Sequence, residues 1–451
     1  MTIVEAAAAL RAKRVSSVEL TRESLTGITR ANPRLNAFIT VTPEQALAQA
    51  AERDVELARG MDRGPLHGIP IAHKDLVCTK GVLTTAGSRL FADFVPDFDA
   101  EVAARLNEAG AVTVGKTGLH ELAYGITSTN PHYGAVRNPW NTDAIPGGSS
   151  GGSGAAVAAG LVAMATGTDT GGSIRIPSSF CGTVGLKPTY EAVSRRGVLA
   201  LSLTFDHIGP MTRTVRDAAI SFNAISEANY VPPASVDIAG LRIGIPRNFF
   251  FAHLDPEVEE AVRKAIATAV TLGAVVKEVS LPDIAALNTV GRILLLSEAV
   301  SVLRPYLGRR TDFGQDVLAL LDQGRMISAA DYLDAQRLRR LMYQEFTRVW
   351  ADVDCIFTPA TPMVAPLIGQ RTVQTGTIIE DVRLAATRFA RSINILGIPA
   401  LAMPVGFSAS RLPVGLQILA PARREDVLLK VGAALEDALA LTMRGRTMET
   451  A

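Results

Sequence analysis

Two kinds of hydrophobic pattern alternate along the chain. Some segments repeat their apolar residues every three or four positions, as the buried face of a helix does, whereas others are short unbroken apolar runs typical of buried strands. The helical segments lie at about residues 43–59, 97–109, 255–273 and 283–350. The strand-like runs lie at about residues 66–77, 110–115, 160–165, 355–357 and 400–403. Strands that alternate with helices predict an α/β fold with a central sheet.

Cap residues mark the ends of two helices. Ser16 and Glu19 have the spacing of a capping box, which predicts that a helix begins there. Asp255 and Pro256 are favoured at the N-cap and first position of a helix, and Gly273 is typical of a helix end. The segment between them is therefore predicted to be one helix.

The length of the chain leaves its domain count open. A chain of 451 residues forms one large domain or two to three smaller ones, and its 48% of hydrophobic residues is enough for a sizeable core. We find no internal repeat and no low-complexity linker that would separate domains. The pattern therefore favours a single domain over residues 1–451.

Charge narrows the class of partner. Lysine and arginine number 45 and aspartate and glutamate 44, a net charge of +1, and no basic stripe or acidic tail stands out. This balance argues against nucleic acid or an anionic membrane as the main partner and favours a small molecule.

Cysteine usage and hydropathy bear on the compartment. Cys78, Cys181 and Cys355 are too few and too scattered for a disulfide scaffold or a zinc site. The N-terminus has no secretory pattern, and no uninterrupted apolar run reaches the roughly 18 residues that span a membrane. We therefore expect a cytoplasmic protein.

A cluster of glycine and serine at residues 146–154 is the first candidate for chemistry. It lacks the Gly-Lys-Ser/Thr ending of a phosphate loop; residues 110–117 do match that pattern, but they read as a strand. Residues 147–151 satisfy the Gly-x-Ser-x-Gly pattern of α/β-hydrolases, although a loop rather than a buried strand precedes Ser149. A glycine turn that leads into a small-residue helix also explains the cluster.

A second cluster, at residues 166–177, follows a strand-like run. Two glycines precede Ser173, so the backbone N–H groups around it are unencumbered by side chains, as an oxyanion hole requires. The candidate donors are the N–H groups of Thr170, Gly171, Gly172 and Ser173.

A serine nucleophile needs a base within hydrogen-bond reach. None of the six histidines lies in a recognisable triad signature; they are His67, His73, His120, His132, His207 and His253. Lys74 ends an apolar strand, where burial lowers the pKa of a lysine towards neutrality. A lysine that extends its charged end out of the strand to solvent is the alternative.

These motifs together resemble the amidase signature family. The spacing of 24 residues between Ser149 and Ser173 is similar to that of the family, and the resemblance is densest between about 65 and 215. The matching segments are G-I-P-x-x-x-K-D at 68–75, P-G-G-S-S-G-G-S at 146–153, G-T-D-T-G-G-S-I-R-I-P at 167–177 and F-C-G-x-x-G-L-K-P-T at 180–189.

The resemblance implies an amidase signature fold, in which helices flank both faces of a central mixed sheet. Residues 65–215 are then the catalytic core, and a helical section at about 283–391 lines the substrate cleft. Leu294, Leu333 and Phe389 are among the residues that would make this cleft apolar, although core packing explains them equally well.

The resemblance also implies a Ser–cis-Ser–Lys triad. Ser173 attacks the substrate carbonyl, Ser149 relays the proton and Lys74 is the base, with a cis peptide bond before Ser149. The oxyanion rests on the N–H groups of residues 170–173, and water later hydrolyses the acyl-enzyme. The supporting residues are expected to be Ser150, Asp169 and Arg175.

One branch of the family differs in biology, namely the glutamine-hydrolysing A subunit of the tRNA-dependent amidotransferase. That branch carries an aspartate seven residues before the asparagine of N-x-x-G-x-P-A, whereas this chain has Thr387 seven residues before Asn394. The tail after residue 418 is also short, at about 30 residues. Both departures favour a stand-alone amidase and leave the amidotransferase branch as the alternative.

We therefore expect a serine amidohydrolase that cleaves the C–N bonds of linear small-molecule amides, and also anilides, carbamates and esters. No metal or organic cofactor is expected, because the triad and the oxyanion hole suffice for acyl transfer. The expected partner is a small-molecule amide or carbamate substrate, with no nucleic acid and no membrane, and a homodimer is consistent with the resemblance. An inactive binding protein is disfavoured, since all three triad residues are present.

Overall fold

The computed structural model describes residues 1–230 and 236–440. The strands in these ranges are β1 (Phe38–Val41), β2 (Pro70–Lys74), β3 (Val112–Thr117), β4 (Thr129–Asn130), β5 (Gly134–Ala135), β6 (Met164–Asp169), β7 (Val184–Lys187), β8 (His207–Thr212), β9 (Arg242–Pro246), β10 (Val275–Val279), β11 (Cys355–Pro359), β12 (Thr372–Thr375), β13 (Ile378–Asp381), β14 (Ala400–Phe407) and β15 (Pro413–Leu419).

The described helices connect and cover these strands. They are α1 (Ile3–Arg11), α2 (Ser17–Leu35), α3 (Pro43–Ala58), α4 (Glu101–Glu108), α5 (Gly151–Ala158), α6 (Arg175–Cys181), α7 (Val215–Ile225), α8 (Pro256–Thr271), α9 (Ile284–Leu303), α10 (Gln315–Gly324), α11 (Ala329–Phe346), α12 (Val382–Thr387), α13 (Arg391–Leu396) and α14 (Glu425–Leu439).

Eleven of the strands form one sheet in the order β1-β3-β2-β6-β8-β7-β14-β15-β11-β9-β10. Strand β2 runs parallel to both β3 and β6, whereas β6, β8, β7, β14, β15 and β11 pair antiparallel in succession. The sheet is therefore mixed, as predicted. A strand from the first half of the chain and a strand from its C-terminal part meet at the centre of the sheet, where β7 pairs with β14.

Helices pack on both faces of this sheet. On β15, Gly415 lies so close to Ser179 of α6 that a Cβ atom at this glycine would collide with it. On β14, Leu401 pairs with Ile418 and so points to the opposite face from Gly415, because side chains alternate along a strand. Leu401 packs against Gly432 of α14. The predicted α/β architecture is confirmed.

The cap signals identified helix starts correctly. Ser16 and Glu19 form a reciprocal capping box at the start of α2. The Asp255 side chain accepts a hydrogen bond from the N–H of Glu257 at the start of α8. The match to a phosphate loop at 110–117 falls mostly within strand β3, so that match is accidental.

The section at about 283–391 is only partly helical. Helices α9, α10 and α11 fill it as far as Phe346, but strand β11 then joins the central sheet and β12 and β13 form a separate hairpin. Strand β11 agrees with the strand-like run predicted at 355–357, whereas the hairpin of β12 and β13 was not predicted, so the description of the whole of 283–391 as helical was too broad. The segment Ile284–Tyr306 is long and apolar enough to cross a membrane, yet Leu287, Leu294 and Ala299 in it are fully buried in the protein core.

Candidate active site

Lys74 is the last residue of strand β2, and its side chain is completely buried. Strand β2 lies between β3 and β6, so protein rather than water surrounds the amine. Burial lowers the pKa of Lys74 to about 7, although the charges of Asp206 and Asp169 raise it. A lysine with this pKa is largely neutral just above pH 7 and can accept a proton. The alternative of a solvent-directed lysine is wrong.

Two hydroxyl groups hold the amine of Lys74. Its Nζ atom lies 2.8 Å from Ser149 Oγ and 2.7 Å from Thr168 Oγ1. Its backbone N–H donates to Thr166 Oγ1 at 3.1 Å. Residues 166 and 168 point to the same side of β6, which explains why both threonines contact this one lysine.

Ser149 lies in the loop that leads into α5. The peptide bond between Gly148 and Ser149 is cis. The hydroxyl of Ser128 donates to the carbonyl oxygen of Gly147 at 2.8 Å and accepts from the N–H of Gly151 at 3.2 Å. Ser128 thus braces the loop on both sides of Ser149.

Ser173 follows β6 and precedes α6, and only 5% of its surface is exposed. Among the described residues, none forms a hydrogen bond with its hydroxyl, so the hydroxyls of Ser149 and Ser173 are not joined. The backbone N–H of Ser150 donates to the carbonyl oxygen of Ser173 at 3.3 Å and ties the two loops together. The structure therefore joins Lys74 to Ser149 and places Ser173 beside the same loop.

Four backbone N–H groups in the loop at residues 170–173 were predicted to be oxyanion donors, and three of them are free of other acceptors within the described residues. The N–H of Gly172 is already bonded, because it donates to Asp169 Oδ1 at 2.7 Å. This N–H group is therefore engaged in the structure, unlike the other three predicted donors. Thr170, Gly171 and Ser173 donate their N–H groups to no acceptor in the described part of the chain.

Asp169 and Arg175 form a fully buried ion pair behind this loop, 2.9 Å apart. Burial alone raises the pKa of Asp169, but the charge and hydrogen bonds of Arg175 outweigh this effect and keep it well below the ordinary value. Asp169 also accepts hydrogen bonds from the N–H groups of Ile174 and Arg175. The carboxylate thereby fixes the backbone on both sides of Ser173.

Arg175 connects this loop to the C-terminal part of the sheet. Its guanidinium donates to Gln417 Oε1 at 2.6 Å, to Asn394 Oδ1 at 2.6 Å and to the carbonyl oxygen of Ala390 at 3.0 Å. The Asn394 amide donates in turn to Asp169 Oδ1 at 2.8 Å. Asp169 and Arg175 are therefore held by several buried partners and form no ordinary surface ion pair.

Replacement of Arg175 by methionine is expected to destabilise the fold. The change leaves the buried Asp169 carboxylate without its counter-charge, which costs about 3–5 kcal/mol of unfolding free energy. Urea unfolding measures this loss. The matched control is Arg424→Met, which removes a pair with Asp426 whose side chains are 53% and 49% exposed, and costs at most about 1 kcal/mol. Equal losses in the two variants would contradict the proposed bracing.

The side chain of Ser150 contacts strand β6 rather than the side chain of Lys74, Ser149 or Ser173. Its hydroxyl donates to the carbonyl oxygen of Thr168 at 3.1 Å and accepts from the N–H of Thr168 at 3.2 Å. Because Thr168 also contacts Lys74, Ser150 positions a neighbour of the base.

The sequence predictions missed several residues of this site. Ser128, Thr168, Asn394 and Gln417 all bond to the predicted residues or to the loops that hold them. Thr168 and Asn394 had a usable signal, since Thr168 lies in the matching segment at 167–177 and Asn394 begins the motif N-x-x-G-x-P-A. Ser128 and Gln417 come from distant segments, and no local pattern shows where those segments fold back.

The competing interpretations of the serine clusters fail on the structure. Within the described residues, no histidine side chain bonds to the hydroxyl of Ser149 or Ser173, and residues 138–143 form turns rather than a strand. An α/β-hydrolase elbow is therefore excluded. The suggested pocket residues also differ, because Leu294 and Phe389 lie in the core and Leu333 is 54% exposed.

A cavity of about 300 Å³ is lined by Thr168, whose hydroxyl contacts the amine of Lys74. Its wall also includes Thr170, Asp206 and apolar residues such as Leu199 and Leu201. The described ranges contain no group of three side chains that could hold a metal ion.

Comparison with known proteins identifies the class. Residues 19–429 match the Amidase family, and the chain therefore belongs to this family of hydrolases that act on C–N bonds. It is 42% identical to the A subunit of the glutamyl-tRNA(Gln) amidotransferase from Methylococcus capsulatus, over 95% of each chain. Among solved structures, the corresponding amidotransferase chain from Thermotoga maritima is 34% identical with a TM-score of 0.79, covering 97% of this chain and 94% of its own. A chain from a vestigial complex related to an s-triazine catabolic enzyme is 35% identical with a TM-score of 0.92. The match covers 97% of this chain and 98% of that one.

These relatives overturn the expected function and partners. The prediction of a stand-alone enzyme for small-molecule amides, anilides, carbamates or esters was wrong, since a relative 42% identical over 95% of each chain belongs to an amidotransferase. The expectation of a small-molecule partner without nucleic acid was wrong for the same reason, because that relative is named for glutamyl-tRNA. The error arose because the prediction gave more weight to two local differences, Thr387 in place of an aspartate and a short tail, than to similarity along the whole chain.

Proposed function

We propose that this protein is the glutamine-hydrolysing A subunit of a tRNA-dependent amidotransferase. The observation that carries the proposal is a buried lysine with a pKa near 7, 2.8 Å from a serine hydroxyl, in a chain 42% identical to such a protein. The whole of residues 1–451 acts as one amidase domain in the cytoplasm, with residues 65–215 as its catalytic core. The net charge of +1 then means that partner subunits supply the basic surface for tRNA.

Proton transfer in the proposed reaction starts at Lys74. The neutral amine accepts the proton of Ser149, and Ser149 accepts that of Ser173 as Ser173 Oγ attacks the side-chain carbonyl carbon of glutamine. Catalytic hydrogen bonds often tighten only when substrate is bound, which accounts for the missing bond between the two serines. The negative charge on the carbonyl oxygen is stabilised by the N–H groups of Thr170, Gly171 and Ser173.

Collapse of the tetrahedral intermediate releases ammonia. Ser149 returns its proton to the leaving nitrogen, and Lys74 reprotonates Ser149, because an amide anion is too poor a leaving group to depart unprotonated. The glutamyl ester on Ser173 is then hydrolysed by water through the same proton path in reverse. The products are glutamate and the ammonia that the amidotransferase uses.

The pH dependence of this reaction follows from the pKa of Lys74. The base must be unprotonated, so activity is lost as the pH falls below the pKa of about 7 and is full above it. We expect kcat/KM for glutamine to rise roughly tenfold per pH unit at acidic pH and to level off above about pH 8. A profile from pH 5 to 9 measures this limb. A limb centred near the ordinary pKa of lysine would contradict a buried neutral base.

Ammonia release from glutamine by the purified protein tests the proposed function. We expect turnover of glutamine by the wild-type chain and none by a variant with Ser173→Ala. Turnover of simple neutral amides together with complete inertness towards glutamine would overturn the proposal.

A further inference from the structure

Arg391 carries a guanidinium beside the catalytic loop that is not neutralised. Its Nη2 atom donates to Thr387 Oγ1 at 2.9 Å, while its Nε atom is buried and has no hydrogen-bond partner among the described residues. Within the same ranges, no carboxylate lies within 4.0 Å of it. An unpaired buried donor on a charged group is costly, so this arrangement calls for an anionic partner.

The position of Arg391 links it directly to the oxyanion loop. A Cβ atom placed on Gly171 would lie 3.9 Å from Arg391 Nε, and one placed on Gly172 would collide with Ala390. Consecutive Cα atoms are about 3.8 Å apart, so the Cα atoms of Gly171 and Ser173 are at most about 7.6 Å from one another. A short molecule can therefore place one end at Ser173 and the other at Arg391.

The surroundings of Arg391 are positive as well. Burial is the main cause that lowers the pKa of Arg391, and the charges of Arg292 and Arg383 add to it. Together they bring this pKa to about 10. The hydroxyl of Tyr124 is buried and has no hydrogen-bond partner in the described ranges. The positive charges of the same three arginines each lower its pKa, although burial raises it. Of the carboxylates near Arg383, that of Asp316 is paired with His120 at 2.9 Å, and that of Asp381 accepts the backbone N–H of Arg383 at 2.9 Å.

Thr387 keeps the charge of Arg391 available. Its hydroxyl donates to the carbonyl oxygen of Arg383 at 2.9 Å and accepts from the guanidinium. A carboxylate at this position would instead pair with Arg391 and cancel its charge. The threonine thus orients the arginine without neutralising it.

We propose that Arg391, with Tyr124 beside it, binds a carboxylate of the substrate and that the site selects short dicarboxylic acids bearing one terminal amide. This inference rests on the proposed function, in which the bound group is the carboxylate of glutamine. It assigns the recognition of that group to Arg391, which none of the sequence motifs includes.

A matched pair of substrates tests this assignment. Glutaramate and valeramide have the same chain of five carbons and the same amide, but only glutaramate carries a carboxylate. We expect the wild-type protein to prefer glutaramate by about 100-fold or more in kcat/KM, since a site built for a charged partner rejects an analogue without it. Equal values for the two substrates would overturn the assignment.

Two variants separate recognition from structure. Arg391→Met removes the guanidinium, and Thr387→Asp neutralises it in place; each is expected to lower the ratio of glutaramate to valeramide turnover by about 100-fold. The control is Arg388→Met, three residues earlier at the end of α12. Its guanidinium already pairs with Glu380 at 2.6 Å, and we expect this variant to keep the wild-type ratio. A ratio unchanged in both Arg391→Met and Thr387→Asp would overturn the proposal.

Glutamine itself distinguishes this inference from the proposed function. If glutaramate is hydrolysed with the expected selectivity but glutamine is not, the carboxylate site stands and the glutaminase proposal fails. If glutamine is hydrolysed and Arg391→Met does not change its kcat/KM, the glutaminase proposal stands and the carboxylate site fails.

Discussion

Replacement of Ser173 by alanine is expected to abolish glutamine hydrolysis while leaving the fold intact. The side chain is small, and its hydroxyl forms no hydrogen bond in the described structure, so its removal costs little stability. The loss of the nucleophile removes the covalent route, and we expect turnover to fall by about 10⁵-fold or more. Ammonia release measures the activity and urea unfolding measures the stability.

Ser150→Ala is the matched control for this change. Ser150 lies in the neighbouring loop, but its hydroxyl bonds to the backbone of Thr168 and not to the triad. We expect its replacement to lower turnover far less than that of Ser173. Wild-type activity in Ser173→Ala would show that another group is the nucleophile.

Replacement of Lys74 by alanine is expected to have the second largest effect. It removes the base and the source of the proton for the leaving nitrogen, so we expect kcat/KM for glutamine to fall by about 10³–10⁴-fold. The loss on an aryl ester of glutamate should be smaller, because a phenolate leaves without protonation. The ratio of the two losses is the measurement.

Thr168→Val is the matched control for Lys74. Thr168 contacts the same amine at 2.7 Å but lies outside the path from Lys74 to Ser149. We expect this variant to stay within about tenfold of the wild-type rate. Equal losses on the amide and the ester in Lys74→Ala would show that the lysine is structural.

Local motifs singled out Lys74, Ser149 and Ser173 because these residues stand in short, distinctive segments. Lys74 ends an apolar strand, and Ser149 and Ser173 lie in glycine-rich turns where few other residues fit. At Gly148, for example, a Cβ atom would lie 2.7 Å from the hydroxyl of Ser128. Such steric demands are visible in the sequence as glycines at these positions.

Long-range contacts could not be predicted in the same way. The network around Arg175 depends on Asn394 and Gln417, which are 219 and 242 residues away in the chain. The hydrogen bond that engages the N–H of Gly172 depends on the direction of the Asp169 side chain. Neither feature has a periodicity or a local residue pattern, since both follow from how the finished sheet places its loops.

The function was harder to predict than the site. The sequence argument relied on Thr387 as a sign of a different enzyme, whereas the structure shows this threonine orienting Arg391 beside the catalytic loop. Similarity along 95% of the chain was the stronger guide to function.

The most direct test of the central claim is transamidation. The protein is combined with the other amidotransferase subunits encoded in its own genome, and the conversion of glutamate-charged to glutamine-charged tRNA(Gln) is measured with glutamine as the nitrogen donor. We predict conversion with the wild-type chain and none with Ser173→Ala, while free ammonia restores conversion in the variant. Glutamine-dependent conversion that persists in Ser173→Ala, or that never occurs with the wild-type chain, would contradict the account.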